Sequence, residues 1–177
     1  MTSRKKTRAV IDFPYATQME DPGLWYERAV SFHKAAVILY KECTHDKTLF
    51  LVTVYNSALS LELIIKSILT EQRKLQKHHK LCELAEAIGL KLSDDLRASL
   101  DLFSDILLWL GCYPVPTEEV TWDDFYKGKI NIIRRIELSG NISSSSADHD
   151  WYASFDNYLK LWEVFRKEYQ RNRPSSF

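Results

Sequence analysis

The sequence predicts an all-α fold of four to five main helices, on three observations. Apolar residues recur at spacings of three and four along most of the chain. Only five glycines and five prolines stand among 177 residues, too few for a turn-rich β-sandwich. No segment carries the sign of a sheet. A hydrophobic share of 45% and an aromatic share of 12% suffice for a core and exclude global disorder. The length favours one domain.

Residues 1–20 show no periodicity and read as a basic extended or disordered arm; residues 21–177 read as the single helical domain. Asp21-Pro22 opens the first helix as an N-cap followed by proline at the first helical position. Its apolar line is Trp25, Ala29, Phe32, Ala36, Leu39 and Cys43. Asp46 caps a second helix that runs to about residue 72. Phe50, Val54, Ser57, Leu61, Ile64 and Ile68 form its line, widened by Leu51, Ala58, Ile65 and Leu69. So broad an apolar surface suits a central helix packed by several neighbours. A polar stretch over 73–77 follows, then a short helix from His79 to about Ile88, stopped by Gly89.

Ser93-Asp94-Asp95 starts a third long helix with Leu96, Leu100, Phe103, Leu107 and Leu110 on one line, ended by Gly111 and Pro114. A further helix is expected over 122–138, and a serine-rich loop near 140–147. Asp148 is expected to cap the last helix. Its stripe is aromatic at every step: Trp151, Phe155, Tyr158, Trp162, Phe165 and Tyr169. Spacings of four and three make it a core face or a seam.

The 24 Lys and Arg balance 24 Asp and Glu, which excludes a globally basic nucleic-acid binder. The balance hides local structure. Arg4, Lys5, Lys6 and Arg8 lead the chain with no acid among them. Residues 66–80 gather Lys66, Arg73, Lys74, Lys77 and Lys80 with His78 and His79 around a single acid, Glu71. Any anion site is expected there. Cys43, Cys82 and Cys112 lack CxxC spacing and read as thiols of a reducing, cytoplasmic protein. No apolar run is expected to span a membrane. P-loop, GxGxxG, GxSxG and HExxH motifs are absent, so neither a metal nor a cofactor is expected.

The segment 56–69, Asn56-Ser57-Ala58-Leu59-Ser60-Leu61-Glu62-Leu63-Ile64-Ile65-Lys66-Ser67-Ile68-Leu69, resembles the signature helix of HEPN domains, with Glu62 and Lys66 one turn apart. His79-Lys80-Leu81-Cys82-Glu83-Leu84 resembles the segment that follows it in that family. Trp109-Leu110-Gly111-Cys112-Tyr113-Pro114 resembles a Tyr-Pro segment of one bacterial subgroup, with Cys112 where arginine is usual. The three elements stand in the family's order over residues 50–116.

The resemblance implies an up-and-down helical bundle that forms a homodimer. Active members of the family are metal-independent ribonucleases with an R-x4-6-H motif. Arg73 to His78 and Arg73 to His79 fit that spacing, but in the turn after the second long helix rather than on a later one. Arg28 to His33 fits it too, on a face packed by Phe32 and Ala36. The implied chemistry is 2′-OH attack on the phosphodiester, with histidine as acid or base and arginine on the phosphorane. The expected function is therefore a non-catalytic interaction or nucleotide/RNA-binding module in a bacterial stress, toxin–antitoxin or defence context. Lys74, Lys77 and Lys80 are its expected anion ligands. Asn56, Glu62, Lys66, Trp109, Tyr113 and Pro114 are expected structural residues. A cognate antitoxin or a nucleotidyltransferase is the implied protein partner. Two alternatives stand beside it: an active ribonuclease using Arg73 with His78 or His79, and a structural adaptor that binds through the aromatic last helix.

Overall fold

A computed structural model describes residues 15–110, 118, 119, 123, 154–171 and 173. Among the described residues there are six α-helices and no strand, so the fold is all-α. The expected helix over 122–138 apart from Asp123, the serine-rich loop, Asp148, Trp151, Tyr113 and Pro114 lie outside the described residues.

The arm ends in structure earlier than its sequence suggests. A short helix, α1, covers Tyr15–Met19. The indole N–H of Trp25 donates to the Met19 carbonyl at 3.0 Å and ties this turn to the next helix. Helix α2 covers Pro22–Glu42, and the Asp21 carboxylate accepts the Gly23 N–H at 2.7 Å. That cap satisfies one of the N–H groups that a helix start leaves open. Asp46 accepts from both the N–H and the hydroxyl of Thr48, at 2.9 and 2.6 Å. These bonds hold its carboxyl below the usual range. It caps a 3-10 turn, Lys47–Leu49, which runs directly into α3, Phe50–Glu71.

Helix α3 is the axis of the fold. Every residue from 60 to 70 is buried, and α2 packs on it together with the helices at Leu81–Ala87 (α4), Asp94–Asp105 (α5) and Phe155–Arg171 (α6). By length and composition alone the stretch Lys47–Glu71 could cross a membrane; here its apolar side chains from residue 61 to 69 are packed inside the bundle, while Leu51 and Val52 are exposed. Helix α4, Leu81–Ala87, ends at Gly89, which takes the left-handed φ of 83° that a helix stop requires. Ser93 caps α5, Asp94–Asp105, which continues into a π-helical turn at Ile106–Leu110.

Helix α6, Phe155–Arg171, begins at Ser154, whose hydroxyl accepts the Asn157 N–H at 3.1 Å. Its aromatic stripe faces inward. Phe155 stacks on Tyr40, Trp162 on His33 and Tyr169 on Tyr26, with centroids 3.8, 4.2 and 4.0 Å apart. Successive rungs fall seven residues apart on both helices, in antiparallel register. Trp162 is only 6% exposed, and Phe165 is fully buried. From Tyr158 to Tyr169 the stripe is thus a core face, and Phe155 at its start is partly buried.

Candidate functional site

The basic run at 66–80 spans the end of α3, a turn and the start of α4. Helix α3 closes with paired bonds: Arg73 N–H to the Thr70 carbonyl at 3.0 Å and Lys74 N–H to the Leu69 carbonyl at 2.7 Å. This closure needs a left-handed residue just past the helix, usually glycine. Arg73 fills it with φ of 57°, at a cost of about 1 kcal/mol for a side chain there. Arg73 opens onto a cleft of about 960 Å³ between the turn and the α1–α2 junction. Met19, Pro22 and Leu75 form its apolar lining, with Glu20, Glu71, Arg73 and Lys77 as charged groups.

The bases of the run divide into two sets. Lys66 is 5% exposed, and its ammonium lies 2.5 Å from the carboxylate of Glu62, itself 3% exposed. Lys80 reaches Glu83 at 2.9 Å, a bond that holds the Glu83 carboxyl below its usual range. Arg73, Lys74 and Lys77 are exposed and make no ion pair among the described residues. The acid at the helix end, Glu71, is already engaged by Arg173 at 3.4 Å.

The two histidines have separate tasks. The His78 ring accepts the Lys80 N–H at Nδ1, 3.2 Å away, and its Nε2 lies 2.6 Å from the Gln76 side-chain oxygen. A neutral ring carrying its proton on Nε2 satisfies both contacts. His78 therefore closes the turn that leads into α4. His79 places Nδ1 2.9 Å from the same Glu62 oxygen that holds Lys66, while its own side chain is 54% exposed. A buried carboxylate that orients an exposed imidazole is an arrangement suited to acid–base work.

The ribonuclease alternative needs Arg73 together with His78 or His79. Among the described residues no hydrogen bond or ion pair joins Arg73 to either histidine. Lys80, another expected anion ligand, forms a surface ion pair with Glu83. An anion site was also expected at a helix start near His79. The helix begins at Leu81, and the Ser104 hydroxyl accepts the Leu81 N–H at 2.9 Å, so that donor is occupied by α5. Asn56 donates to the Val52 carbonyl of its own helix at 2.7 Å, and Trp109 is buried.

A second polar group lies inside the bundle, and the sequence reading missed it. His33 Nδ1 lies 2.6 Å from the Tyr158 hydroxyl, which lies 2.9 Å from the Ser60 hydroxyl; Ser60 also bonds the Ser57 carbonyl at 2.8 Å. Burial lowers the His33 pKa and raises that of Tyr158. Polar residues inside otherwise apolar helical lines were the available signal. Beside Tyr158 sits a cavity of about 30 Å³, bordered by Thr53, Ser57 and Phe103. That is room for a water and little more.

Among the described residues no cluster of three or more His, Cys, Asp or Glu side chains could hold a metal ion. Comparison with known proteins finds no matching family model, no matching curated protein and no matching solved structure.

Proposed function

We propose that this chain is a non-catalytic HEPN-like interaction or nucleotide/RNA-binding module whose ligand face is the turn between α3 and α4. One observation supports this above the others. The residues that match the nuclease spacing have separate duties: Arg73 closes α3, His78 closes the turn and His79 is held by buried Glu62. A phosphodiester needs the arginine and the histidine on the same phosphate. Arg73 closes α3 through its backbone, and its side chain, with those of Lys74 and Lys77, is exposed and makes no ion pair among the described residues. The reading also places the protein in the cytoplasm, as a homodimer, in a bacterial stress, toxin–antitoxin or defence setting.

The ribonuclease reading keeps one specific support, the Glu62–His79 contact. Incubating the protein with RNA in a chelator separates the two. The module reading expects intact RNA. Cleavage that disappears in both His79→Ala and Arg73→Ala would establish the nuclease instead. Light scattering tests the dimer, and a strict monomer would remove that part.

A further inference from the structure

The outward face of α2 carries exposed apolar side chains on a regular line. Leu24 is 44% exposed, and Ile38, at 62%, is the most exposed large apolar side chain among the described residues. Each stands seven residues from Ser31, nearly two helical turns, so the three share one line. Its ends lie about 10 Å from Ser31 along the helix. Ser31 and Ala35 are small, which lets another helix approach closely at the middle of the line.

The flanks of this line carry charge. Glu27 and Lys34 lie on one flank, about one turn either side of Ser31, and Arg28 and Ala35 lie on the other. Glu27, Arg28 and Lys34 are exposed and make no ion pair among the described residues. Beside Leu24 opens a groove of about 510 Å³, whose apolar lining also includes Met19, Trp25 and Leu63. Its charged lining residues are Glu27 and Arg28.

This pattern is complementary to itself. A two-fold axis lying across the helix at the Ser31 side chain relates two antiparallel copies and keeps each flank on its own side. It sets Ser31 against its own counterpart and Ile38 against the partner's Leu24 and the groove beside it. Glu27 meets the partner's Lys34, their heights along the helix matched to about 1.5 Å. Arg28 falls opposite the partner's Ala35, so no like charges are opposed on either flank. Packed helices cross at an angle, so the contact is confined to the two turns on each side of Ser31.

We infer that the outward face of α2 is the surface on which two copies of this chain pair, antiparallel about Ser31. The charge complementarity of Glu27 and Lys34 across the two-fold axis selects this occupant, beyond the apolar exposure alone. The inference rests on the homodimer part of the reading above and assigns it a face.

Sedimentation equilibrium and light scattering of the full chain test it. The wild type is expected to dimerise. Ile38→Glu is expected to weaken the dimer about a hundredfold, because two isoleucines lose their buried contact. Glu27→Lys and Lys34→Glu are each expected to weaken it about tenfold, since each reversal acts at both symmetry-related pairs. The double variant Glu27→Lys/Lys34→Glu should recover the wild-type affinity, a rescue that misfolding cannot produce. Leu108→Glu, at an exposed apolar side chain outside α2, should leave the dimer unchanged. A dimer untouched by Ile38→Glu, an equal loss in Leu108→Glu, or a double variant no tighter than the single ones would each overturn the α2 face and leave the dimer itself standing. A strict monomer would overturn the dimer and this face together, so the two failures are distinguishable.

Discussion

His33 on α2 stacks on Trp162 of α6 with ring centroids 4.2 Å apart and planes 2° from parallel. It is the middle rung of a ladder whose ends are Tyr26 on Tyr169 and Tyr40 on Phe155. The same imidazole contacts the Tyr158 hydroxyl and, through it, Ser60 of α3. One residue thus joins three helices, and its protonation bears on all three contacts.

Stability is expected to fall on mild acidification because of His33. Burial lowers its folded pKa below the ordinary value of 6.5. Between those two values the unfolded chain takes up a proton that the folded chain does not. The contribution is therefore complete above about pH 6.5, is lost as pH falls towards the folded value, and changes no further below it. Urea unfolding across this window checks it: the slope of stability against pH should be smaller in His33→Gln. An unchanged slope would contradict the assignment. Asp46, Glu83 and Glu163, whose folded values are lowered by their hydrogen bonds, act at lower pH, below their ordinary 3.8 and 4.5.

Tyr158→Phe is expected to cost about 1–2 kcal/mol. It removes a buried hydroxyl that bridges His33 and Ser60 while leaving the ring packed on Phe103. Denaturant midpoints at neutral pH check this, and the double variant His33→Phe/Tyr158→Phe should cost less than the sum of its parts. Strict additivity would show that the two side chains do not interact.

Glu62→Ala is expected to be severe, about 3–5 kcal/mol, because it leaves the Lys66 ammonium buried without a counter-charge. Replacing both members by apolar residues, as in Glu62→Leu/Lys66→Met, should recover most of that loss. His79→Ala should cost far less, since its side chain is half exposed. Equal losses for Glu62→Ala and His79→Ala would contradict this picture.

Arg73→Gly is expected to stabilise the fold by about 1 kcal/mol, and Arg73→Ala is not, because alanine carries the same Cβ at the same left-handed φ. Thermal unfolding of the two variants decides it. A glycine variant no more stable than the alanine variant would mean that Arg73 is not held in that conformation.

Much of the bundle was legible in the sequence because its signals are local. Asp21-Pro22 and Ser93 each bond N–H groups within three residues, and Gly89 supplies its own φ. The aromatic line from Phe155 to Tyr169 follows the helical repeat, so its inward face could be anticipated. The α3 stop was less legible: a polar stretch was visible, but arginine stands where glycine normally signals a left-handed turn.

The basic run shows where local reading ends. Its composition is read directly from the sequence, and the ion pairs within it are not. Lys66 stands one turn from Glu62 in the sequence and pairs with it, whereas Lys80 looks the same as Lys74 and Lys77 in the sequence, yet Glu83 engages it alone of the three. His78 and His79 are adjacent, yet one bonds its own turn and the other reaches Glu62 seventeen residues back. The sequence by itself determined the helices, most of their ends and which faces are apolar, because those depend on neighbours within one or two turns. Only the tertiary structure decided which charges are neutralised and which remain for a partner. A side chain's partner is chosen by the packing of distant segments, as when Arg173 reaches Glu71 across 102 residues.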